Sequence, residues 1–200
     1  MTSLDTQFEI AAAREAQEIP TQFETERLLI RQSAANDLDA TLLVAIASAE
    51  ALKQWMPWAQ PAPHRDSMEK YFLTVGAKWA SREMLDFQWI EKSTGTLIGK
   101  GGFHHIDWAI PKFEIGYWLA TAAAGKGYCT EAVNGLVNFV KTSVCADTPL
   151  RLEIRAQLGN HRSRAVAERA GFTFEGINRR ALLGADNALC DACIYALIVE

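Results

Sequence analysis

The chain has 200 residues, of which 49% are hydrophobic and 22% are charged, and its formal net charge is -4 at pH 7. A chain of this size can bury roughly 70% of the surface that its unfolded form exposes, which is enough for the core of one domain. The small negative charge argues against generic nucleic-acid binding. Its longest apolar stretch, 42–47, is too short to span a bilayer, and the N-terminus has no signal-like pattern. We therefore expect a cytoplasmic protein that binds neither nucleic acid nor membrane.

Apolar residues at helical or alternating spacing, bounded by Gly, Pro and capping residues, predict the elements of the chain. In chain order they are a helix at 5–18, a strand at 28–31, helices at 37–49 and 66–80, a hairpin of 87–91 and 96–106, a strand at 113–119, a helix at 129–140, a strand at 152–157, a helix at 162–170, and strands at 173–178 and 190–199. They predict a mixed α/β (α+β) fold with about seven strands and helices on the faces of the sheet. Residues 1–22 are predicted as a helical extension of a domain over 23–200.

The segment from 113 to 140 predicts a phosphate-binding turn. Phe113, Ile115, Tyr117 and Leu119 alternate as in a strand, and Gly125-Lys126-Gly127 follows at its end. Glycines let backbone N–H groups turn toward one point, and the positive end of the next helix dipole lies over that point. A diphosphate could bind there without a metal ion.

Two other phosphate motifs do not fit this turn. The nucleoside-triphosphate loop requires Ser or Thr after its Gly-Lys pair, but Gly127 follows Lys126. The dinucleotide fingerprint requires G-x-G-x-x-G near an early strand, and this chain has none. An ordinary strand-to-helix turn with two flexible glycines remains an alternative.

The order and spacing of five sequence blocks resemble the GCN5-related N-acetyltransferases (GNAT), and within them the RimJ/RimL-like branch, named for enzymes that acetylate the N-termini of ribosomal proteins. The likeness covers nearly the whole chain. Its blocks are TERLLIR at 25–31, Trp55 with Trp58, EIGYWL at 114–119, GKGY with TEA over 125–132, and residues 160–176. The resemblance implies a largely antiparallel mixed sheet. It also implies that the strands ending at Leu119 and Gln157 splay apart to form a cleft for the pantetheine arm.

The resemblance further implies that acetyl-coenzyme A is the cosubstrate, that no metal is used, and that backbone amides of the glycine turn hold the pyrophosphate. The cofactor-binding residues would be Trp118, Leu119, Ala124, Gly125, Lys126, Gly127, Tyr128, Cys129, Thr130, Asn160 and Ser163. Two of them depart from the family pattern, which usually has Arg or Gln in place of Ala124 and a small Ala or Gly in place of Cys129. Because backbone N–H groups carry most of the phosphate binding, the loss of a polar side chain at Ala124 should weaken cofactor binding but not abolish it.

Acetyl transfer to an amine requires a base for the amine, a donor for the oxyanion and a proton for the thiolate. Glu114 lies among apolar neighbours that could raise its pKa, which would suit it to relay a proton; the matching residue of RimL-like enzymes is thought to be the base. A solvent-facing strand glutamate is the alternative. The oxyanion donor is expected to be a backbone N–H near Trp118 or Leu119. Ser163, by resemblance, protonates the thiolate, although Asn160 and Ser163 also fit a plain helix cap.

Four other residues have competing interpretations. Trp55 and Trp58, among prolines, are either core residues or a wall of the acceptor pocket. Cys190 and Cys193 lie at i and i+3 of a predicted strand and should face opposite ways, as ordinary packing cysteines. His104 and His105, also on a strand, should face apart, one half-buried and one solvated, and so should not form a metal pair.

These observations predict an N-acetyltransferase whose acceptor is an amine, either an N-terminal peptide or a small molecule such as a polyamine or an antibiotic. The alternative function is a non-catalytic coenzyme A-binding or protein-interaction module on the same fold. Glu114, Asn160 and Ser163 together favour the enzyme. The sequence leaves the oligomeric state open, with a homodimer allowed.

Overall fold

The computed structural model describes residues 18–146 and 148–200, so the predicted helix at 5–18 lies outside them except for its last residue. The strands are β1 (Gln22–Glu24), β2 (Leu28–Gln32), β3 (Leu85–Glu91), β4 (Thr96–Asp107), β5 (Lys112–Leu119), β6 (Leu150–Gln157), β7 (Thr173–Leu183) and β8 (Leu189–Val199). The helices are α1 (Leu38–Ala47), α2 (Ala49–Leu52), α3 (Arg65–Ala80), α4 (Tyr128–Phe139) and α5 (His161–Arg169).

All of the predicted strands are confirmed, and the short strand β1 is added to them. Gln22 of β1 pairs with Arg31, and the preceding Ile19 is buried in the main core, so the folded sheet includes residues assigned to the extension. The predicted helix at 37–49 instead ends at Ala47, because Ser48 leaves helical geometry with φ -108° and ψ 2°. The domain boundary at 23 remains a prediction.

The sheet order is β1-β2-β3-β4-β5-β6-β8-β7, and only β5 and β6 run parallel. These two strands pair through just three residues each, 112–114 with 151–153. Beyond Glu114 both strands continue without pairing to each other, β5 to Leu119 and β6 to Gln157. The predicted splayed cleft is therefore confirmed.

Two hydrophobic clusters hold the helices against the sheet. The larger one joins α4 and α5 to the central strands through residues such as Leu136 of α4, Phe113 of β5 and Leu152 of β6, all of which are fully buried. The smaller one lies between α1 and α3 around Ala45 and Phe72. Packing on both sides fixes the strands whose separation forms the cleft. Within the part of the chain that the structure describes, no helix is long and apolar enough to cross a membrane.

Candidate active site

The glycine turn adopts the backbone geometry that its sequence predicts. Gly125 and Gly127 have φ angles of +78° and +81°, a region that side chains with a Cβ rarely adopt. Gly127 is the N-cap of α4 and has no side chain that could cap it. The first N–H groups of a helix have no partner within the helix, and here they remain available to an external acceptor at the positive end of the dipole.

A second sequence block fastens this turn to the sheet. The Glu131 carboxylate accepts hydrogen bonds from Thr25 Oγ1 at 2.6 Å, from the Arg27 backbone N–H at 2.7 Å and from Arg27 Nε at 2.6 Å. Arg27 Nη1 donates to the Lys126 carbonyl at 3.0 Å, and its guanidinium lies 4.3 Å from the centre of the Tyr128 ring. Burial alone would raise the pKa of Glu131, but the hydrogen bonds from Thr25 and Arg27 lower it below the ordinary value. The TER and GKGY blocks therefore form one rigid unit.

Cys129, the departure from the family pattern, lies in the first turn of α4 and is partly buried. Burial raises the pKa of its thiol to about 12, so the thiol is protonated at neutral pH. It is therefore a packing residue and not a reactive thiolate. Cys190 and Cys193 are also free thiols, half-buried and buried respectively, as predicted.

A cavity of about 620 Å³ occupies the splayed region between β5 and β6. It brings together all of the predicted catalytic and acceptor residues, which are Trp55, Trp58, Glu114 and Ser163, and two of the predicted cofactor-binding residues, Trp118 and Asn160. The glycine turn lies outside this lining. Gly127 and Thr130 instead line a shallower groove beside α4, together with Arg169. We call the groove beside α4 with the glycine turn the predicted cofactor end, and the cavity the predicted acceptor end.

Glu114 is the last residue of β5 that pairs with β6, and it is only 9% exposed. Its carboxylate lies 3.2 Å from His104 Nε2, 3.0 Å from His105 Nδ1 and 3.4 Å from Arg155 Nε. Burial alone would raise the pKa of Glu114, but the hydrogen bond and charge of His104 and the charge of Arg155 lower it. The predicted rise is therefore wrong. The prediction considered only neighbours on β5, whereas the groups that decide the pKa come from β4 and β6.

The prediction that His104 and His105 face apart is also wrong. Between the pairs His104–Glu114 and Asp107–Lys112, β4 has two residues where β5 has one, and this bulge breaks the alternation of side chains. His105 has φ +48°, and both imidazoles reach Glu114 with ring centres 5.0 Å apart. The donor atoms of the three residues lie within 4.8 Å of one another, a spacing that a metal ion could bridge. The Arg155 guanidinium beside Glu114 opposes a bound cation there.

Ser163 forms the cap that the sequence suggested and makes one contact that it did not. The Asn160 side-chain oxygen accepts a hydrogen bond from the Ser163 backbone N–H at 3.1 Å, so Asn160 is the N-cap of α5. The Tyr117 hydroxyl lies 3.1 Å from Ser163 Oγ and 3.1 Å from its carbonyl oxygen. Burial raises the pKa of Tyr117, so its hydroxyl is a neutral donor. Sequence reasoning missed Tyr117 by treating it as one of the apolar strand residues, although it alone among them has a hydroxyl.

The acceptor end also contains a buried ion pair that sequence reasoning missed. Lys100 Nζ lies 2.9 Å from Asp86 Oδ2, 4.4 Å from the centre of the Tyr71 ring and 4.7 Å from that of Phe72. Asp86 directly precedes one predicted strand and Lys100 lies within the next, and charged residues at these positions were the available signal. Because the opposite charges of Lys100 and Asp86 cancel, the pair makes the cavity wall more polar without adding net charge.

Trp55 and Trp58 both line the cavity, and neither is part of the buried core. Trp58 is 42% exposed, and its ring centre lies 5.7 Å from that of Trp118. The Trp55 carbonyl accepts a hydrogen bond from Gln157 Nε2 at 3.1 Å, which fixes the segment across the end of β6. Trp55 and Trp58 thus form part of the cavity wall, and their role in substrate binding remains a prediction.

Residues 27–173 match the acetyltransferase (GNAT) domain family, and the chain belongs to this family. The protein is an N-acetyltransferase that transfers the acetyl group of acetyl-coenzyme A, its cosubstrate, to an amine. The predicted family and the predicted enzyme class are thereby confirmed, and the non-catalytic alternative is not favoured.

Individual relatives match the RimJ/RimL-like branch. The chain is 32% identical over 160 residues to YdaF of Bacillus subtilis (strain 168), whose full name is "Putative ribosomal N-acetyltransferase YdaF", over 78% of this chain and 84% of that protein. It is 32% identical over 104 residues to the ribosomal-protein-serine acetyltransferase of Escherichia coli (strain K12), over 52% of this chain and 56% of that protein. The crystal structure of microcin C7 self immunity acetyltransferase MccE, in complex with acetyl-CoA and AMP, has the same fold, with a TM-score of 0.80 and 22% identity. The match covers 90% of this chain and 97% of the MccE chain.

Proposed function

We propose that the acceptor is the α-amine of a protein or peptide N-terminus. The observation that carries this proposal is the position of Glu114, a buried carboxylate at the point where β5 and β6 part, on the wall of a 620 Å³ cavity. A carboxylate there can hold the terminal ammonium, while the Trp55 and Trp58 wall can contact the first side chains. The names of YdaF and of the E. coli relative support a ribosomal-protein-like acceptor.

The residue roles follow from the two ends of the site. We assign the pyrophosphate to the free N–H groups around Gly125 and Gly127, and the pantetheine arm to the cleft beyond Glu114. Trp118 or Leu119 supplies the backbone N–H for the oxyanion. Glu114 serves the removal of the proton from the amine.

Ser163 and Tyr117 serve the leaving group. A coenzyme A thiolate is a weaker base than an alkoxide or a phenolate, so a neutral hydroxyl pair stabilises it chiefly by hydrogen bonding as the carbon–sulfur bond breaks. The 3.1 Å contact between the two hydroxyl oxygens lets Tyr117 support Ser163 during that step. We also assign the protein to the cytoplasm, which its four free cysteines support.

The acceptor assignment is tested by measuring thiol release from acetyl-coenzyme A. One arm uses peptides with a free N-terminus and different first residues. A matched arm uses the same peptides with the N-terminus blocked and an internal lysine free, and a third arm uses polyamines and aminoglycosides. We expect turnover only with free N-termini. Faster turnover of the blocked peptides or of the small amines would contradict the assignment.

A further inference from the structure

We propose that His105 is the group that takes the proton from the acceptor amine, and that Glu114 acts by orienting its imidazole. This inference rests on the proposed function in placing the amine at the acceptor end. It replaces a single buried base with a pair in which a carboxylate and an imidazole divide the work, as Asp and His do in hydrolase triads.

The geometry of His105 suits a base. Its Nδ1 lies 3.0 Å from Glu114 Oε2, and an ionised carboxylate can only accept, so Nδ1 carries the hydrogen. The other ring nitrogen, Nε2, then has its lone pair free. The His105 side chain is 69% exposed and lines the cavity, so Nε2 can meet a substrate amine and afterwards return its proton to water. Histidine is also the side chain whose ordinary pKa best suits proton transfer at neutral pH.

The ionisation of Glu114 argues in the same direction. A carboxylate that is stabilised by His104 and Arg155 is a weak base for an ammonium, whereas it is a good acceptor for an imidazole N–H. The charged groups facing this pair are His104 from β4, Arg155 from β6 and Glu153, which pairs in register with Glu114 but is bound to Arg151 at 2.6 Å. Of these groups, His104 and Arg155 keep the orienting carboxylate charged, while Arg151 offsets the charge of Glu153.

The backbone of β4 is shaped to make this contact. A left-handed φ at a non-glycine residue costs free energy, and such residues concentrate at functional sites. His105 accepts that conformation, with φ +48°, at the bulge that turns its ring toward Glu114. Regular alternation would have placed the ring on the opposite face.

His104 makes the same kind of contact from a different environment. A Cβ built on Gly116 would lie 2.2 Å from His104 Cε1, so this ring packs directly over the β5 backbone and is only half-exposed. His104 is therefore a positioning residue that holds the other oxygen of Glu114. It is the natural control for His105.

The protons balance in two steps. The acceptor ammonium gives one proton to His105 Nε2, which passes it to water, and the free amine then attacks the thioester carbon. As the carbon–nitrogen bond forms and the carbon–sulfur bond breaks, the nitrogen loses its second proton to the regenerated imidazole, which passes this proton to water as well. The departing thiolate is stabilised by hydrogen bonds from the Ser163 and Tyr117 hydroxyls and takes up one proton from water. The net products are the amide, coenzyme A thiol and one released proton.

The test compares variants in single-turnover rate across pH 6 to 9, using the amine that the wild-type protein acetylates fastest. His105→Asn keeps the left-handed backbone and a hydrogen bond to Glu114 but cannot take a proton. His105→Gly fits φ +48° and leaves space for added imidazole. His104→Asn is the matched control, and acetyl-coenzyme A binding and melting temperature are measured beside each rate.

We expect both His105 variants to lose about 10- to 1000-fold in rate at neutral pH, with unchanged cofactor affinity. Added imidazole should restore His105→Gly but not His105→Asn, whose side chain leaves no space for it. Glu114→Gln should lose as much as His105→Asn, and the double variant should lose no more, because the two act as a unit. A His105→Asn rate and pH profile equal to wild type, beside a slow Glu114→Gln, would overturn the inference and leave the proposed function standing.

Discussion

The predicted cofactor end and the predicted acceptor end of this site are formed by different chemical groups. The predicted cofactor end presents backbone N–H groups of the glycine turn, which is held by the Glu131 contacts to Thr25 and Arg27. The predicted acceptor end presents ionisable side chains, His104, His105 and Glu114, which lie together at a bulge. Backbone amides do not titrate, whereas the side-chain cluster does. Binding and proton transfer should therefore respond separately to substitution and to pH.

The largest expected effect is at the acceptor end. Glu114→Gln should lower turnover by roughly tenfold to a thousandfold near neutral pH and leave the Kd of acetyl-coenzyme A unchanged. The deficit should shrink at high pH, because an amine that is already deprotonated needs less help. A deficit that stays constant with pH would reduce Glu114 to a residue that only positions the acceptor.

The second prediction concerns the cofactor end, where a substitution should lower the affinity for acetyl-coenzyme A. Gly127→Val places a branched side chain at φ +81° and disturbs the approach of the amides, so we expect the acetyl-coenzyme A Kd to rise about 10- to 100-fold by calorimetry. Gly171→Val is the matched control, because Gly171 has a similar φ of +83° but follows the C-cap of α5, away from the glycine turn. Both variants should lose stability. Equal affinity losses in both, or none at Gly127, would locate the cofactor elsewhere.

The aromatic wall sharpens the boundary between the two ends. Trp58→Ala should raise the KM of the acceptor about tenfold and change that of acetyl-coenzyme A much less, since each tenfold corresponds to about 1.4 kcal/mol of lost contact. Trp79→Ala is the control, because Trp79 is only 7% exposed in the core. It should cost about 3 to 5 kcal/mol of folding free energy without selectivity between the substrates. If Trp58→Ala behaves like Trp79→Ala, the wall assignment is wrong.

The smallest expected effect concerns the hydrogen bonds of Glu131 with Thr25 and Arg27, which hold the glycine turn against the sheet. Because the pKa of Glu131 is lowered in the folded protein, its stabilisation is present at neutral pH and is lost as the pH falls through that lowered pKa. Glu131→Gln should cost about 1 to 2 kcal/mol of unfolding free energy at pH 7 and much less near pH 3. Exposed Glu69→Gln serves as the control. If Glu131→Gln loses as much unfolding free energy near pH 3 as at pH 7, the charge of Glu131 is not what stabilises these contacts.

The two ends also differ in how far the sequence predicts them. The strands other than β1, the cap at Asn160, the glycine turn and the splay were all predicted, because they depend on local periodicity, on glycine at positive φ, or on resemblance along the chain. The surroundings of Glu114 were not. Its pKa depends on Arg155 and His104, which are distant in sequence, and the His105 contact depends on one extra residue in β4.

The most direct test of this division is the pH dependence of two constants measured on the wild-type protein. The Kd of acetyl-coenzyme A and the single-turnover rate at saturating cofactor should be followed from pH 6 to pH 9 with one N-terminal peptide. If backbone amides bind and the side-chain cluster transfers protons, the rate should rise with pH while the Kd changes by less than about threefold. A Kd that follows the same pH curve as the rate would contradict the separation of the two ends.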